Sequence, residues 1–145
     1  MNKVILMGRL TKDPEVRYSQ GAQPLAIARY TLAVNRRFKR EGEPDADFIN
    51  IVSFGKAGEF AEKFFKKGQQ ISIVGRLQIR TYDDPDGNRK WITEVIAEEQ
   101  YFAESKASFE KRMATESSAP VPAPSSNKAD GFVPIDESFE DDLPF

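Results

Sequence analysis

Residues 48–82, with the sequence FINIVSFGKAGEFAEKFFKKGQQISIVGRLQIRTY, constrain the fold more than any other part of the chain. Apolar residues alternate with a period of two at both ends of this stretch, and in its middle they recur at helical spacing. The first pattern is typical of strands and the second of an amphipathic helix. The stretch therefore predicts a strand over 48–54, a helix over 57–67 and a strand over 71–82. The helix residues expected in the core are Phe60, Ala61, Phe64 and Phe65, with Gly68 as the C-terminal stop.

The two strands of this stretch differ between their faces. In the later strand one face is apolar and is predicted to be core: Ile71, Ile73, Leu77 and Ile79. Its opposite face is polar and basic: Ser72, Arg76, Gln78, Arg80 and Tyr82. One face of the earlier strand carries Phe48, Asn50, Val52 and Phe54. Exposed aromatic side chains are unfavourable unless something covers them, and nucleobases are one candidate cover. The alternative is that Phe48 and Phe54 face a second sheet or a subunit partner.

The rest of the first hundred residues supplies three more strands. Their predicted bounds are 3–10, 25–38 and 91–102. Residues 11–23 are predicted to form a connection and 39–47 an exposed loop, and Asp86-Gly87 predicts a turn between the last two strands. Five strands with one helix between the third and the fourth match the OB-fold, a five-stranded Greek-key barrel. We therefore predict an all-β OB-fold domain over 1–104.

Composition narrows the chemistry that is available to the chain. It has no cysteine and no histidine, which excludes a disulfide framework, a thiolate metal site and histidine-dependent catalysis. A calcium loop beginning at Asp84 fails, because Arg89 and Val95 stand where glycine and glutamate are needed. We expect no metal and no cofactor. The apolar run near the N-terminus is too short for a signal peptide or a membrane span, so we expect a cytosolic protein.

The composition changes towards the C-terminus. Residues 1–104 carry 17 Lys and Arg against 15 Asp and Glu, whereas 105–145 carry 4 against 8. The segment 105–135 contains SSAPVPAPSSN and predicts a flexible low-complexity linker, in which 108–116 is a candidate nascent helix. The last ten residues, 136–145, form an acidic tip that ends in DDLPF. We therefore predict a disordered acidic C-terminal tail after the barrel.

Together these pieces resemble the bacterial single-stranded DNA-binding protein family. The resemblance covers nearly the whole chain and rests on the order and spacing of its motifs. They are the opening NKVILMGRLTKDPEVRY, the strand TLAVNR, the run SFGK, the turn FFKKG followed by ISIVGRL, the TEV of the last strand, the low-complexity linker and the terminal DDLPF. The resemblance implies an OB-fold homo-oligomer, expected to be a tetramer, that wraps single-stranded DNA.

The resemblance also implies five stacking residues. They are Phe38, Phe48, Phe54, Tyr82 and Trp91. Three of them, Phe48, Phe54 and Tyr82, are the rings that the period-two pattern already places on one face. Well-studied members have tryptophan at several of these positions, so stacking is expected to be somewhat weaker in this chain. For Trp91, base stacking and packing between subunits stay open as equal alternatives.

Seven basic residues are candidates for contacts with the nucleic-acid backbone. They are Arg36, Arg37, Lys39, Arg40, Lys56, Arg76 and Arg80. Neutralising phosphates releases counterions, so these contacts would make binding dependent on salt. For each residue the alternative is a solvated surface charge. Binding is favoured over that alternative for Arg36, Arg76 and Arg80.

The resemblance also implies a role for the end of the acidic tip, which is expected to recruit replication, recombination and repair proteins. Its residues are Asp141, Asp142, Leu143, Pro144 and Phe145. A partner would need an apolar pocket for the terminal ring and cations for the carboxylates. The charge difference between body and tail also motivates the hypothesis that the tip competes with DNA for the basic groove.

The predicted function is sequence-independent binding and protection of single-stranded DNA during replication, recombination and repair. We expect no catalysis and a cytoplasmic, nucleoid-associated location. One alternative is a metal-dependent nuclease, which is disfavoured because the carboxylates lie in loops and in the tail. The other alternative is an OB-fold protein-interaction module that does not bind nucleic acid.

Overall fold

The computed structural model describes residues 1–118 and contains six strands and two helices in that range. The strands are β1 (Val4–Leu10), β2 (Glu15–Tyr18), β3 (Ala26–Asn35), β4 (Ala46–Phe54), β5 (Gln70–Asp83) and β6 (Arg89–Phe102). Helix α1 (Lys56–Phe64) lies between β4 and β5, and helix α2 (Lys106–Ser117) follows β6. The predicted acidic tip lies outside the described residues.

The strands form one closed sheet. β1 pairs with both β3 and β5, and the order around the ring is β1, β5, β6, β4 and β3, with β2 attached along β3. The strand pairs are antiparallel except for β4 with β6, which run parallel. A five-stranded ring of this order, with its helix between β4 and β5, is the OB-fold. The predicted fold class is confirmed.

The number of strands was predicted wrongly. Residues 11–23, predicted to be a connection, contain the four-residue strand β2, in which Val16 lies opposite Ala28 of β3. β2 pairs only with β3 and is too short for its alternation to stand out from a turn.

The hydrophobic core lies inside the ring. Side chains from all five strands of the ring meet there, among them Leu10, Leu32, Ile51, Ile71, Ile73 and Val95. Burying a side chain of this size contributes about 1.5–3 kcal/mol relative to leaving it exposed. Tyr30 extends from the core, and its hydroxyl donates a hydrogen bond of 2.6 Å to Gln100.

Helix α1 covers one opening of the ring. Ala61 and Phe65 are buried as predicted, and the Phe65 ring meets Tyr30 edge-on with centroids 5.7 Å apart. The helix ends at Phe64, three residues earlier than predicted, and the chain is already extended at Phe65. Phe64 is half exposed, which corrects its assignment to the core.

The β5–β6 hairpin extends beyond the ring. β1 pairs with β5 only up to Gly75, and β4 pairs with β6 only from Val95 onwards, so between these limits the two strands pair with each other alone. We call residues 78–94 the arm. The prediction that Leu77 and Ile79 are core residues is wrong. They have the expected parity, but no second layer formed by residues 1–118 covers the arm and its base, and both side chains are exposed.

Helix α2 begins inside the segment that was predicted to be a flexible linker, 105–135, and it contains the candidate nascent helix. The Ser105 hydroxyl caps it by accepting a hydrogen bond from the Ser108 backbone N–H. Arg112 ties the helix to the barrel by donating hydrogen bonds to the Glu104 carboxylate and to the Gly68 carbonyl oxygen. The first part of the predicted linker is therefore structured.

Glu104 is the anchor for this attachment. Its carboxylate accepts hydrogen bonds from Arg112 and, at 2.8 Å, from the Gln70 backbone N–H. Burial by itself would raise the pKa of Glu104, but these hydrogen bonds and the charges of Arg112 and Arg9 outweigh burial and lower the pKa. The carboxylate is therefore ionised at neutral pH and holds α2 in place.

Within residues 1–118, neither helix is long and apolar enough to cross a membrane.

Candidate nucleic-acid interface

One outer face of the sheet runs across β3, β4, β6 and β5 and carries three of the five predicted stacking rings and two of the seven predicted cations. The register of the strands shows which side chains lie on this face. Val52 lies opposite both Arg29 of β3 and Ile96 of β6, and Ile96 lies opposite Arg76 of β5. Side chains of the same parity on these strands therefore share one side. We call this the open face, and its principal residues are Arg29, Thr31, Phe48, Asn50, Val52, Phe54, Arg76, Gln78, Arg80, Tyr82, Ile92 and Glu94.

The predicted stacking rings are reachable from water in the protomer. Phe48 is 68% exposed, and the others range from 41% for Tyr82 to 78% for Phe38. Phe48 and Phe54 stand at the two ends of β4, and Tyr82 stands near the far end of β5. Phe38 lies in the loop between β3 and β4 and therefore at the border of the open face. The alternative in which the protomer seals these rings inside itself is excluded.

Trp91 does not share a face with the other rings. It lies opposite Thr81, whereas Tyr82 lies opposite Lys90, so Trp91 and Tyr82 project from opposite sides of the arm. Ile79 has the same parity as Thr81 and lies on the Trp91 side. Four of the five predicted rings therefore belong to the open face or its border, and Trp91 belongs to the reverse side of the arm.

The centre of the open face is a shallow depression of about 270 Å³. Side chains from four strands converge there, including Arg29, Asn50, Arg80 and Ile92. The Thr31 hydroxyl donates a hydrogen bond of 3.2 Å to the Asn50 side-chain oxygen, which orients both groups. These polar groups surround an apolar floor that includes Val52, as expected of a surface that accepts a flat ring and its polar edge.

Arg80 is held by a carboxylate that the sequence prediction did not identify. Its Nε donates to Glu94 Oε1 at 3.1 Å, and the Glu94 side chain is only 8% exposed. Arg76 is also paired, at 3.4 Å from Glu98, which lies 3.0 Å from Lys3 on its other side. The hydrogen bond and charge of Lys3, with those of Arg76, lower the pKa of Glu98. Both arginines on β5 are therefore partly neutralised within the protomer.

Arg36 has a structural role at the base of the loop between β3 and β4. Its guanidinium donates to Asp47 Oδ1 at 2.7 and 2.9 Å and lies 3.5 Å from Glu43. The hydrogen bond to Asp47, with the charge of that carboxylate, raises the pKa of Arg36 and in return lowers the pKa of Asp47. Lys39, in the same loop, pairs with Asp45 at 3.3 Å. These pairs join the two ends of the loop that carries Phe38.

The remaining predicted cations have no carboxylate within ion-pair distance among residues 1–118: Arg37, Arg40 and Lys56. The Arg37 guanidinium lies 5.7 Å from the centre of the Phe38 ring. Lys56 is the first residue of α1 and follows Phe54 by two positions. The three cations that the sequence favoured for binding are thus all paired, whereas three of the four less favoured ones are available, Lys39 being the exception.

Arg29 and Arg17 are cations that the predicted site omitted. Arg29 lies on the open face opposite Val52, and Arg17 on β2 lies opposite Ile27 on the same side. Neither has an ion-pair partner among the described residues. The signal for Arg29 was its parity, which it shares with Thr31 in a half-buried strand. Arg17 had no such signal, because β2 was not recognised.

The predicted partner-binding residues, 141–145, lie outside the described residues.

Comparison with known proteins gives a consistent result. The model of the single-strand binding protein family matches residues 1–103. Single-stranded DNA-binding protein 3 of Clostridium acetobutylicum is 48% identical over 116 residues, which are 80% of each chain. The single-stranded DNA-binding protein of Caldanaerobacter subterraneus subsp. tengcongensis is 42% identical over 153 residues, covering 100% of this chain and 99% of the relative. Single-stranded DNA-binding protein 2 of Listeria monocytogenes is 42% identical over 165 residues, with the same coverage.

Proposed function

The chain belongs to the single-strand binding protein family, and we propose that it binds and protects single-stranded DNA without regard to base sequence. The proposed setting is replication, recombination and repair, in the cytoplasm and in association with the nucleoid. The ligand is held by contact alone, and the proposal assigns the protein no catalysis and no cofactor.

The observation that carries this proposal is the combination of exposed rings and available cations on one side of the barrel. Phe48, Phe54 and Tyr82 are exposed on a face that also presents Arg29. Each base can stack on a ring through its π-face, which contributes about 1–3 kcal/mol per base for any base. Duplex DNA hides these π-faces, so it gains only the electrostatic part of the interaction. The protein should therefore prefer single strands.

The backbone contacts are assigned first to the cations that lack an internal partner. Arg37, Arg40 and Lys56 keep their full charge for phosphates, and Arg29 adds a fourth. Each phosphate neutralised on a single strand should contribute roughly −0.7 to the slope of log K against log salt. Arg36, Arg76 and Arg80 contribute less, because phosphate has to compete with carboxylates that already hold them.

Replacement of Phe48 tests the stacking contribution. Phe48→Ala should weaken binding of oligothymidine by more than about 1 kcal/mol, roughly fivefold in Kd, because one stacking ring is lost. The salt slope should stay unchanged, because no charge is removed. Filter binding at two or more salt concentrations measures both quantities.

Tyr18→Ala is the matched control, because Tyr18 is half exposed but lies beside α1, where its hydroxyl donates to Glu62. It should leave the affinity for oligothymidine unchanged. Two results would contradict the stacking assignment. One is a Phe48→Ala variant that loses the salt dependence but keeps its affinity for oligothymidine; the other is an equal loss of affinity in Phe48→Ala and Tyr18→Ala. Absence of oligothymidine binding by the unmodified protein would favour the protein-interaction module instead.

We propose that the protein is a homotetramer. Its support in the chain is a second outer surface, on β1 and the adjoining parts of β5 and β6. Ile5 lies opposite Val74, and Met7 lies opposite Ser72, which in turn lies opposite Tyr101. Ile5, Met7 and Tyr101 are all more than half exposed in the protomer. Exposed apolar side chains grouped on one outer surface are typical of a subunit interface.

For the tip, we propose recruitment of replication, recombination and repair proteins through residues 141–145. Phe145→Ala should leave oligothymidine binding intact and abolish capture of such partners, because it removes the ring that a partner's apolar pocket would hold. Co-sedimentation of partner proteins on DNA coated with the protein tests this. Loss of DNA binding with retained capture would refute the separation of the two roles.

A further inference from the structure

Asn2 lies just before β1, and its side chain contacts the base of the arm. The Asn2 Nδ2 group donates a hydrogen bond of 2.8 Å to the Leu77 carbonyl oxygen, and Asn2 Oδ1 accepts one of 2.9 Å from the Leu77 N–H. One amide side chain therefore satisfies both backbone groups of one strand residue. We call this pair of hydrogen bonds the tether.

The tether continues the pairing of β1 with β5 beyond its last backbone contact. The backbone register ends where Val4 lies opposite Gly75. Continued by two positions, the same antiparallel register would place Asn2 opposite Leu77. The side-chain amide of Asn2 thus takes the place that a backbone peptide group of β1 would occupy, and it extends the hold of β1 on β5 up to the first residue of the arm.

An ion contact crosses the same junction. The register between β5 and β6 passes over Glu98, because Val74 lies opposite Glu99 and Gly75 opposite Ala97. The carboxylate of Glu98 lies 3.0 Å from Lys3 and 3.4 Å from Arg76. All three of these side chains are more than a third exposed, and ion pairs with such exposure contribute little. The tether is therefore the more specific of the two contacts.

The arm has few other supports within residues 1–118. Beyond Gly75 on β5 and before Val95 on β6, the ladders of the two strands are made with each other alone. A two-stranded ribbon of this kind is only marginally stable by itself. Its direction relative to the barrel is therefore set at its base, where the tether lies.

The direction of the arm decides how the open face is assembled. Phe48 and Phe54 belong to β4 in the ring, whereas Arg80 and Tyr82 belong to the arm. Tyr82 lies five residues beyond Leu77 on β5, about 17 Å at about 3.3–3.4 Å per residue. A tilt of about 10° at the base would move Tyr82 by about 3 Å, close to the ~3.4 Å between successive bases of a strand. A small change at Leu77 is therefore large on the scale of base stacking.

We propose that Asn2 is a positioning residue for single-stranded DNA. It does not touch the ligand, and it acts by holding the arm so that Tyr82 and Arg80 already stand in register with Phe48 when the strand arrives. A surface that is ordered before binding binds more tightly, because it loses less conformational freedom on association. This role rests on the proposed function, whereas the tether itself can be tested without DNA.

Hydrogen–deuterium exchange followed by mass spectrometry tests the tether. In Asn2→Ala, backbone amides of the arm should exchange about fivefold faster, because two hydrogen bonds that together contribute about 1 kcal/mol no longer oppose local opening. Amides of β3 and β4 should exchange as in the unmodified protein. Gln23→Ala is the matched control, since it removes an exposed side-chain amide from the loop between β2 and β3, and it should leave the arm unchanged.

Binding of oligothymidine tests the positioning role. Asn2→Ala should weaken this binding about fivefold, because DNA would have to order the arm as it binds. The salt slope should stay the same, because no charge is removed. Gln23→Ala should bind as the unmodified protein does.

Second substitutions separate positioning from a general loss of stability. In a Phe48→Ala background, Asn2→Ala should again weaken binding about fivefold, because Phe48 is on the ring and the two sites act independently. In a Tyr82→Ala background the loss should fall to about twofold, because the main group that the tether positions is already absent. A merely structural role of Asn2 would give the same factor in both backgrounds.

Four results distinguish what fails. Unchanged exchange of the arm in Asn2→Ala would overturn the tether. Unchanged affinity of Asn2→Ala for oligothymidine, or equal losses in the Phe48→Ala and Tyr82→Ala backgrounds, would overturn the positioning role. Absence of oligothymidine binding by the unmodified protein would overturn the proposed function and the positioning role with it, whereas faster exchange of the arm in Asn2→Ala would still support the tether.

Discussion

Glu94 is a nearly buried carboxylate on a face whose proposed ligand is a polyanion. It accepts a hydrogen bond from Arg80 at 3.1 Å. Removing a charge partner from a buried pair normally costs stability, but here Arg80 is more than a third exposed and can turn to solvent or to phosphate. Glu94 therefore fixes the position of Arg80 and at the same time reduces its attraction for DNA.

Replacement of Glu94 by glutamine should strengthen DNA binding. Glu94→Gln keeps the shape and an acceptor for Arg80 but removes one negative charge from the open face. Affinity for oligothymidine should rise at low salt, and the salt slope should steepen by up to about 0.7, the contribution of one further phosphate contact. Filter binding over a range of salt concentrations measures both effects.

Glu59→Gln serves as the control, because it removes the same charge from the exposed surface of α1 and leaves the pair of Arg80 with Glu94 intact. An equal gain in both variants would mean that net charge alone, and not the release of Arg80, strengthens binding.

At this scale the sequence predicted which residues are exposed on the open face better than it predicted their partners. Period-two alternation was sufficient to assign Phe48, Phe54 and Tyr82 to the open face, because the side of a strand to which a residue belongs follows from the backbone alone. The ion pairs of Arg36 with Asp47 and of Arg80 with Glu94 join residues 11 and 14 positions apart across a loop and a hairpin. No local pattern encodes those distances, so the most favoured cations proved to be the paired ones.

At the scale of elements, Gly75 determines how β5 leaves the ring. It lies at a register irregularity between β5 and β6, and a Cβ on it would collide with the Ile96 carbonyl group. The pairing of β5 with β1 also stops at Gly75, so the close approach of the two backbones lies where β5 leaves the ring.

Gly75→Ala should therefore destabilise the protein strongly. Because the obstacle is backbone, it cannot move aside as a side chain would, and we expect a loss of about 2 kcal/mol or more in the free energy of unfolding. Urea denaturation measures this loss. Gly21→Ala is the control, since a Cβ there has no neighbour within 4 Å, and it should change stability by less than about 0.5 kcal/mol. Similar midpoints for the two variants would contradict this account of the junction.

The long elements were predictable and the exceptions have physical reasons. β3 to β6 and α1 were recognised because each repeats its apolar pattern several times. The exposure of Leu77 and Ile79 was not predictable, because alternation shows that two faces differ but not whether another layer covers the apolar one. Helix α2 has no buried residue and a weak apolar face, so its sequence resembles that of a linker.

At the scale of the whole molecule, the apolar surface on β1 determines the proposed assembly. Met7→Glu would place a charge at the centre of a surface that must lose its water on association. The variant should sediment as a species smaller than the unmodified protein, while its circular dichroism spectrum stays that of a folded barrel. Leu25→Glu, which changes an exposed apolar side chain outside this surface, should keep the native mass. An unchanged mass in Met7→Glu would refute this interface.

The barrel and its proposed ligand could be predicted from the sequence, because the order of strands and most of the family motifs lie within residues 1–103. The packing of helix α2 against the barrel could not be predicted in this way. It depends on Phe64 ending a helix early and on α2 folding back over the turn at Gly68, and both are outcomes of packing between distant segments.

The arm has a further consequence for how unfolding is observed. The single tryptophan of the chain, Trp91, lies on this two-stranded ribbon, where no third strand from residues 1–118 pairs with it. Such ribbons open locally at a lower free energy than the barrel that carries them. The fluorescence of Trp91 therefore reports on the hairpin. Thermal unfolding followed by this fluorescence should have a lower midpoint temperature than unfolding followed by the far-ultraviolet circular dichroism of the whole sheet.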